Sequence, residues 1–275
     1  MTIAPSGAPP KSGRAELTIE SVTREFVAKS GARVVALSDT SVTVKPGEFL
    51  SIIGPSGCGK STLFNIVAGL DLPTSGDVEI NGESIVGEQG HVGYMLQKDL
   101  LLPWRSVLNN IIIGMEVSGM PKRRARELAM PFLEAYGLAE FADHRPDQLS
   151  GGMRQRAALL RTILFNRDVI LLDEPFGKLD AQTRATMQEW LLDVWDDFKK
   201  TVVFVTHDID EAVYLSDRVV VMAPRPGRVI ADIPIDLDRP RKPGIVTSPE
   251  FIAYKNRIFS LLHTSLDPAD ERTSA

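Results

Sequence analysis

The sequence predicts an α/β protein whose core is a parallel β-sheet. Short apolar segments with the length of buried strands occur at residues 49–53, 169–172, 201–206 and 217–222. Apolar residues at helical spacing occur at 60–70 and 181–199, and alternation of strands with helices is typical of a parallel sheet. Residues 17–44 instead alternate apolar with polar side chains, which predicts an N-terminal antiparallel β region with one buried face.

An α-helical subdomain is predicted to interrupt this core over about residues 98–164. Ser106 can cap the first of its helices, Pro121 can open a second, and Gly151 starts a third. The core and its insertion are expected to form one domain over residues 16–236.

Both ends of the chain are expected to lie outside that domain. Residues 1–15 are rich in proline, serine, glycine and alanine and lack the apolar core of a secretory signal, which predicts a disordered tail. Residues 237–275 begin as a linker with proline and arginine and contain one short amphipathic segment at 251–262.

Charge and hydropathy narrow the classes of partner. The 275 residues carry a net charge of -5 with acidic and basic residues interspersed, so no nucleic acid is expected as a partner. No apolar run approaches the roughly 20 residues of a membrane-spanning helix. A role at a membrane must therefore come through another protein. The single cysteine, Cys58, can form no disulfide within the chain.

The most specific motif is a glycine-rich loop between the predicted strand at 49–53 and the following helix. The loop matches the phosphate-binding pattern G-x-x-x-x-G-K-[ST] at every fixed position and consists of Gly54, Pro55, Ser56, Gly57, Cys58, Gly59, Lys60 and Ser61, followed by Thr62. Glycines let backbone amides approach phosphate oxygens, and the helix directs its positive end at the anion. Lys60 is then expected to reach the β- and γ-phosphates of ATP, and the Ser61 hydroxyl to bind Mg²⁺. A glycine-rich turn without a ligand is the alternative.

Two adjacent carboxylates, Asp173 and Glu174, follow the apolar segment at 169–172. Beside a phosphate-binding loop, such a pair is typical of a Walker B element. Asp173 is expected to hold Mg²⁺, while Glu174 is expected to accept a proton from the attacking water. Acidic residues also end many strands at the protein surface without a function, so the assignment depends on the loop.

A third motif indicates the family. Residues 149–156 begin a predicted helix with Ser150, Gly151 and Gly152, and the segment resembles the Leu-Ser-Gly-Gly-Gln signature of ABC-type ATPases. By themselves, a serine hydroxyl and two glycine amides at a helix N-terminus form either an anion site or an ordinary N-cap. The resemblance implies a P-loop NTPase fold of the ABC type with a RecA-like core. It also implies a dimer in which Ser150 and Gly152 grip the γ-phosphate of ATP bound to the other copy.

The resemblance covers the chain from about residue 17 to 235 and implies roles for three further side chains. Gln97 corresponds to the Q-loop glutamine that contacts Mg²⁺ and the attacking water, with an ordinary exposed loop residue as the alternative. His207 corresponds to the switch histidine that contacts the γ-phosphate. Phe26 corresponds to the aromatic residue that stacks on adenine, with packing in the core as the alternative.

In the motifs that face the dimer interface, one residue matches the family pattern and two residues depart from it. Asp180 corresponds to the D-loop aspartate, which crosses the dimer interface and orients the partner's site. Lys178 stands where the family has a small residue, and it either contacts the partner or phosphate or points into solvent. Met153 replaces the signature glutamine and leaves the anion-binding serine and glycines unchanged.

Two short segments resemble the nitrate, taurine and aliphatic-sulfonate importers of this family. They are Leu-Leu-Pro-Trp at 101–104 and Pro-Arg-Pro-Gly-Arg at 224–228. The resemblance implies that Leu102, Trp104 and the helix from Ser106 contact a cytoplasmic helix of a permease. Ordinary packing within the helical subdomain is the alternative.

These resemblances together predict an ATP-hydrolysing subunit of an ABC transporter that energises uptake of a small solute such as nitrate, taurine or a sulfonate. The implied partners are a second copy, integral-membrane permease subunits and a solute-binding protein, with the subunit at the cytoplasmic face of the inner membrane. An exporter is an alternative, because the permease encodes the direction of transport. ABC ATPases of DNA repair carry long coiled coils and those of translation carry two nucleotide domains, and this sequence shows neither feature.

Overall fold

The computed structural model describes residues 14–28, 31–165, 167–177 and 179–264. Within this part the chain forms two compact units. The central unit is Val92–Lys200, and the flanking unit is Ala15–His91 with residues 201–264. Most of the predicted N-terminal tail, the side chain of Lys178 and the last residues of the C-terminal segment lie outside the described residues.

The first part of the flanking unit contains an antiparallel sheet and the strand that precedes the glycine-rich loop. Its elements are β1 (Leu17–Val27), β2 (Arg33–Val44), β3 (Phe49–Ile53), α1 (Lys60–Val67), β4 (Ser75–Ile80) and β5 (Glu83–Ser84). The predicted antiparallel region is present with the strand order β2-β1-β4-β5, and Leu17 pairs with both Val44 and Ile80. The sequence reasoning missed β4 and β5.

The helix α1 ends three residues before the prediction, at Val67 instead of residue 70. The amides of Leu70 and Asp71 turn back to the carbonyl oxygen of Asn65, at 2.8 and 3.2 Å. This turn satisfies a carbonyl of the last helical turn and stops the helix.

The central unit contains two parallel strands and five α-helices within its described residues. They are β6 (Val92–Met95), α2 (Val107–Ile111), α3 (Ile113–Val117), α4 (Lys122–Ala135), α5 (Gly151–Leu164), β7 (Val169–Asp173) and α6 (Ala181–Phe198). Val92 pairs with Val169 in the parallel register of β6 and β7. The Ser106 hydroxyl caps α2 as predicted, by accepting from the Asn109 amide at 3.3 Å. Pro121 is the residue before α4 and not its first helical residue.

The second part of the flanking unit continues the parallel core. Its elements are β8 (Thr201–Thr206), α7 (Ile209–Leu215), β9 (Arg218–Met222), β10 (Val229–Pro234) and α8 (Pro249–Thr264). The fully buried β3 pairs in parallel with β8 on one side and with β9 on the other, and β10 adds to β9 in antiparallel. The predicted amphipathic segment forms α8, whereas α7 and β10 were not predicted. No helix among the described residues could span a lipid bilayer.

The buried Lys200 gives a testable pH dependence of stability. Burial lowers the pKa of its ammonium from 10.5 to about 8, and the ammonium donates a hydrogen bond to the Arg167 carbonyl. Between these two pH values the unfolded chain binds more protons at this residue than the folded chain, so stability contributed by this residue rises with pH. The free energy of unfolding of the wild type should therefore rise by about 2 kcal/mol relative to Lys200→Met between pH 7.5 and 10. Urea titrations of both proteins at several pH values measure this difference, and parallel pH curves would contradict it.

Candidate functional site

The glycine-rich loop of the flanking unit joins β3 to α1 through a turn that requires glycine. Gly59, the residue before α1, has φ of 100°, and a Cβ atom placed there would lie 2.6 Å from Leu37 Cδ2. Since glycine has no side chain, Gly59 makes no side-chain cap bond to α1, and the positive end of the helix dipole lies at this loop. This is the arrangement that binds phosphate.

Lys60 places a positive charge inside this loop. Its buried ammonium donates to the Gly54 carbonyl at 2.7 Å and to the Pro55 carbonyl at 3.1 Å, and it lies 3.6 Å from Cys58 Sγ. Ser61 follows it in the first helical turn, with an exposed side chain. The loop, the ammonium and the helix end therefore present one positive surface, as the motif predicts.

In the central unit, β6 and β7 bring three predicted site residues to one edge, because parallel strands end on the same side of a sheet. Asp173, the last residue of β7, is buried and accepts a hydrogen bond from the Tyr94 hydroxyl on β6. Burial and the neighbouring Asp173 charge raise the pKa of Tyr94, so this hydroxyl remains a donor. Gln97, just after β6, donates from Nε2 to Glu174 Oε2 at 3.0 Å.

The backbone of Glu174 is strained. Its φ is 44°, in the left-handed region that residues other than glycine rarely adopt. This backbone conformation costs about 1 kcal/mol or more. A conformation of this kind persists only where the surrounding structure enforces it, and such residues cluster at functional sites. The strained residue is the one whose carboxylate accepts the hydrogen bond from Gln97.

The signature and the D-loop lie together in the central unit. The Ser150 hydroxyl caps α5 by accepting from the Met153 amide at 3.3 Å, so it makes the ordinary N-cap bond. Asp180 caps α6 by accepting from the Thr183 amide at 3.0 Å and the Thr183 hydroxyl at 2.7 Å, and these bonds lower the pKa of Asp180. A Cβ on Gly152 would lie 2.9 Å from Thr183 Cγ2. Thr183 thus contacts both motifs and holds them in one arrangement.

Sequence reasoning missed the side chains that tie α5 to the Gln97 loop and to the residue after Glu174. Arg161 donates to the carbonyls of Asp99 and Leu100, at 2.6 and 2.7 Å. Gln155 donates from its amide to the Pro175 carbonyl. No local pattern in the sequence identifies these bonds, because the partners lie far away along the chain. The signature helix is therefore hydrogen-bonded to the segment that follows Gln97 and to the residue that follows Glu174.

His207 and Phe26 belong to the flanking unit. His207 is exposed and directly follows β8, and Thr206 fixes the backbone there by donating to Glu211 at 2.6 Å and accepting from the Asp208 amide at 3.0 Å.

Phe26 is 40% exposed near the end of β1, which does not fit the alternative of core packing. The Arg24 guanidinium lies 4.5 Å from the centre of its ring. The phenyl ring is therefore accessible for stacking.

The donors predicted for Mg²⁺ are all oxygens, which is the chemistry that this ion prefers. They are the hydroxyl of Ser61, the amide oxygen of Gln97 and the carboxylate of Asp173. Across the described residues, no group of three or more His, Cys, Asp and Glu side chains forms a metal cage. Mg²⁺ is usually bound by one or two carboxylates together with water and substrate phosphates, so this sparse set fits it.

Comparisons with known proteins agree with these motifs. The family described as ABC transporter matches residues 37–177. An uncharacterized ABC transporter ATP-binding protein of Methanocaldococcus jannaschii is 47% identical over 90% of this chain and 92% of its own length. A taurine import ATP-binding protein of Rhizobium johnstonii is 40% identical, over 88% of this chain and 94% of its own. A nitrate import ATP-binding protein of Synechocystis sp. is 38% identical, over 90% and 94%.

A solved structure extends the similarity to the fold and to ATP turnover. It is the dimeric, post-hydrolysis state of an ATP-binding cassette bound to ADP and Pi, with a TM-score of 0.70 and 31% sequence identity, covering 81% of this chain and all of that one. Its likeness confirms the predicted P-loop ABC ATPase fold. On these grounds the chain belongs to the ABC transporter family, as one of its subunits that bind and hydrolyse ATP.

Proposed function

We propose that this subunit hydrolyses MgATP to energise uptake of a small solute, such as nitrate, taurine or a sulfonate, through a separate permease. The names of the taurine and nitrate import relatives support the substrate class. Substrate choice itself belongs to the permease and to a solute-binding protein, which are the proposed partners. The subunit would then lie at the cytoplasmic face of the inner membrane as a peripheral protein.

The domain that carries this activity is proposed to be residues 16–236, with a helical subdomain over about 98–164. The N-terminal tail of residues 1–15 and the C-terminal segment of residues 237–275 lie outside it. Phe26 is assigned to the adenine ring. The phosphates are assigned to Gly54, Pro55, Ser56, Gly57, Cys58, Gly59, Lys60, Ser61 and Thr62.

The chemistry proposed for the central unit begins with proton transfer. Glu174 accepts the proton of the attacking water, and the hydrogen bond from Gln97 orients its carboxylate. Lys60 and His207 stabilise the charge that develops on the γ-phosphate. Mg²⁺, held by Ser61, Gln97 and Asp173, would supply neutralisation of the β- and γ-phosphate oxygens.

A complete site is proposed to need two copies of the chain. Ser150, Gly151 and Gly152 contact the γ-phosphate of ATP bound to the other copy, and Asp180 orients that site across the interface. Their joint packing on Thr183 supports a shared role, since a shift of one motif would move the other. The dimeric state of the similar solved cassette agrees with this proposal.

The observation that supports the membrane role is an exposed tryptophan, Trp104, on a loop whose backbone is held by hydrogen bonds. Trp104 is 70% exposed, which ordinary packing does not explain. Its loop is fixed by the buried Asn110, which accepts from the Leu102 amide at 2.7 Å and donates to the carbonyls of Leu102 and Arg105 at 3.1 and 3.2 Å. An exposed aromatic side chain on a loop whose backbone is held by hydrogen bonds is typical of an anchor in a protein interface.

The test is to purify the tagged chain from detergent-solubilised native membranes and to identify every protein that accompanies it by mass spectrometry. We expect a polytopic permease with the wild type and its loss with Trp104→Ala. Val117→Ala is the matched control, because Val117 is also a strongly exposed apolar residue of the central unit, at 77%. If only water-soluble proteins or nucleic acid accompanied the wild type, the membrane role would be wrong and the ATPase activity would stand.

A further inference from the structure

The loop between β9 and β10 lies against the phosphate-binding loop within the flanking unit. The Gly227 amide donates to the Ala36 carbonyl at 2.9 Å, and the Gly227 carbonyl accepts from the Ser38 amide at 2.9 Å. A Cβ on Gly227 would lie only 1.9 Å from the Cys58 carbonyl oxygen, so no other residue fits this close approach. The backbone of the β9–β10 loop is therefore held in place directly beneath the phosphate-binding loop.

This fixed backbone places the Arg225 side chain beside the rim of the phosphate-binding loop. A Cβ atom built on Gly57 would lie 4.0 Å from Arg225 Nη2, and both residues are exposed. Within the described residues the Arg225 side chain has no hydrogen bond or ion pair. A guanidinium that is not neutralised by a carboxylate adds positive potential to a site that already contains Lys60 and the end of α1.

We propose that Arg225 contacts the phosphate chain of the nucleotide bound by this loop and helps to hold it. The inference rests on the proposed assignment of the loop to nucleotide phosphates, and it adds a positively charged residue from outside the phosphate-binding motif. A guanidinium presents several N–H donors in a fixed plane and suits phosphate oxygens well. Because Arg225 is exposed to solvent, its contribution is modest and decreases as salt screens the charge.

Arg228 provides a matched control. It lies in the same loop, on the other side of Gly227, is exposed, and carries the same charge. Its side chain likewise has no ion pair among the described residues. Removing either arginine changes the net charge equally. A difference in ATP affinity between the two variants therefore depends on the position of the arginine and not on the overall charge.

The experiment measures binding of ATP and ADP by calorimetry for wild type, Arg225→Ala, Arg225→Lys, Arg228→Ala and Lys60→Ala. We expect Arg225→Ala to weaken ATP binding about threefold to tenfold and ADP binding less, because ADP carries less phosphate charge. Arg225→Lys should be intermediate and Arg228→Ala unchanged within about twofold. The loss in Arg225→Ala should shrink at high salt. Thermal melting of each variant checks that the fold is intact.

Three results would overturn the inference. The first is ATP binding by Arg225→Ala equal to that of the wild type, and the second is an equal loss of ATP affinity in Arg225→Ala and Arg228→Ala. The third is an effect of Arg225→Ala only on nucleotide-dependent dimerisation, which would assign the residue to the interface with the partner copy. A failure of the proposed function would give a different result, in which the wild type and Lys60→Ala bind nucleotide equally weakly.

Discussion

Glu174→Gln should bind ATP about as tightly as the wild type but hydrolyse it about 10²- to 10⁴-fold more slowly. The amide of glutamine cannot accept the proton of the attacking water. Its carbonyl oxygen can still accept the hydrogen bond that Gln97 donates to Glu174 in the wild type, so the local geometry should persist. Phosphate release measures the turnover, and a nucleotide titration measures the binding.

Two further variants separate the chemistry of Glu174 from its backbone strain. Glu140→Gln removes an exposed carboxylate from the same unit and should leave turnover unchanged. Glu174→Gly should be inactive yet at least as stable as Glu174→Gln, because glycine adopts the observed φ of 44° without strain. Turnover near the wild-type rate in Glu174→Gln would remove Glu174 from the role of general base.

Arg241→Ala should lower the free energy of unfolding by about 3 kcal/mol or more, because it leaves several buried carbonyl groups without donors. The guanidinium of Arg241 is buried at the end of α7 and donates to the carbonyls of Val213, Tyr214 and Ser216, at 3.0, 3.0 and 2.7 Å. The last carbonyls of a helix have no partner within the helix, so Arg241 acts as its cap. Burial lowers the pKa of Arg241 to about 10, which leaves it charged at neutral pH.

The same arginine joins the C-terminal segment to α7. The Tyr214 hydroxyl donates to the Arg241 carbonyl at 3.1 Å, and Lys255 of α8 forms an ion pair of 2.7 Å with Asp210. Urea unfolding measures the loss in Arg241→Ala, and Arg241→Lys should recover part of it because lysine keeps a donor and a charge. Arg257→Ala removes an exposed arginine from α8 and is the control. A loss below about 1 kcal/mol in Arg241→Ala would show that water replaces the guanidinium.

Much of the core could be predicted from the sequence, because its strands are short, fully apolar and separated by helices of clear periodicity. Residues 49–53 and 201–206 form the strands β3 and β8 with the predicted bounds. The missed strand β4 lacks this apolar pattern. The strand β4 has only two apolar side chains, Val78 and Ile80, and it forms by pairing with β1, which lies far away along the chain. In this pairing Leu17 lies opposite Ile80. Such a partner leaves no local pattern.

The candidate site divides in the same way. By itself, the sequence predicted the phosphate-binding loop, the two carboxylates and the signature serine, because each depends on residue types at fixed short spacing. Only the tertiary structure decided that Trp104 is exposed, that Arg161 holds the segment after Gln97, and that Arg225 reaches the rim of the phosphate-binding loop. Local spacing sets backbone conformation and local chemistry. The exposure of a side chain and the partner of a buried polar group depend on segments distant along the chain, which meet only when the protein folds.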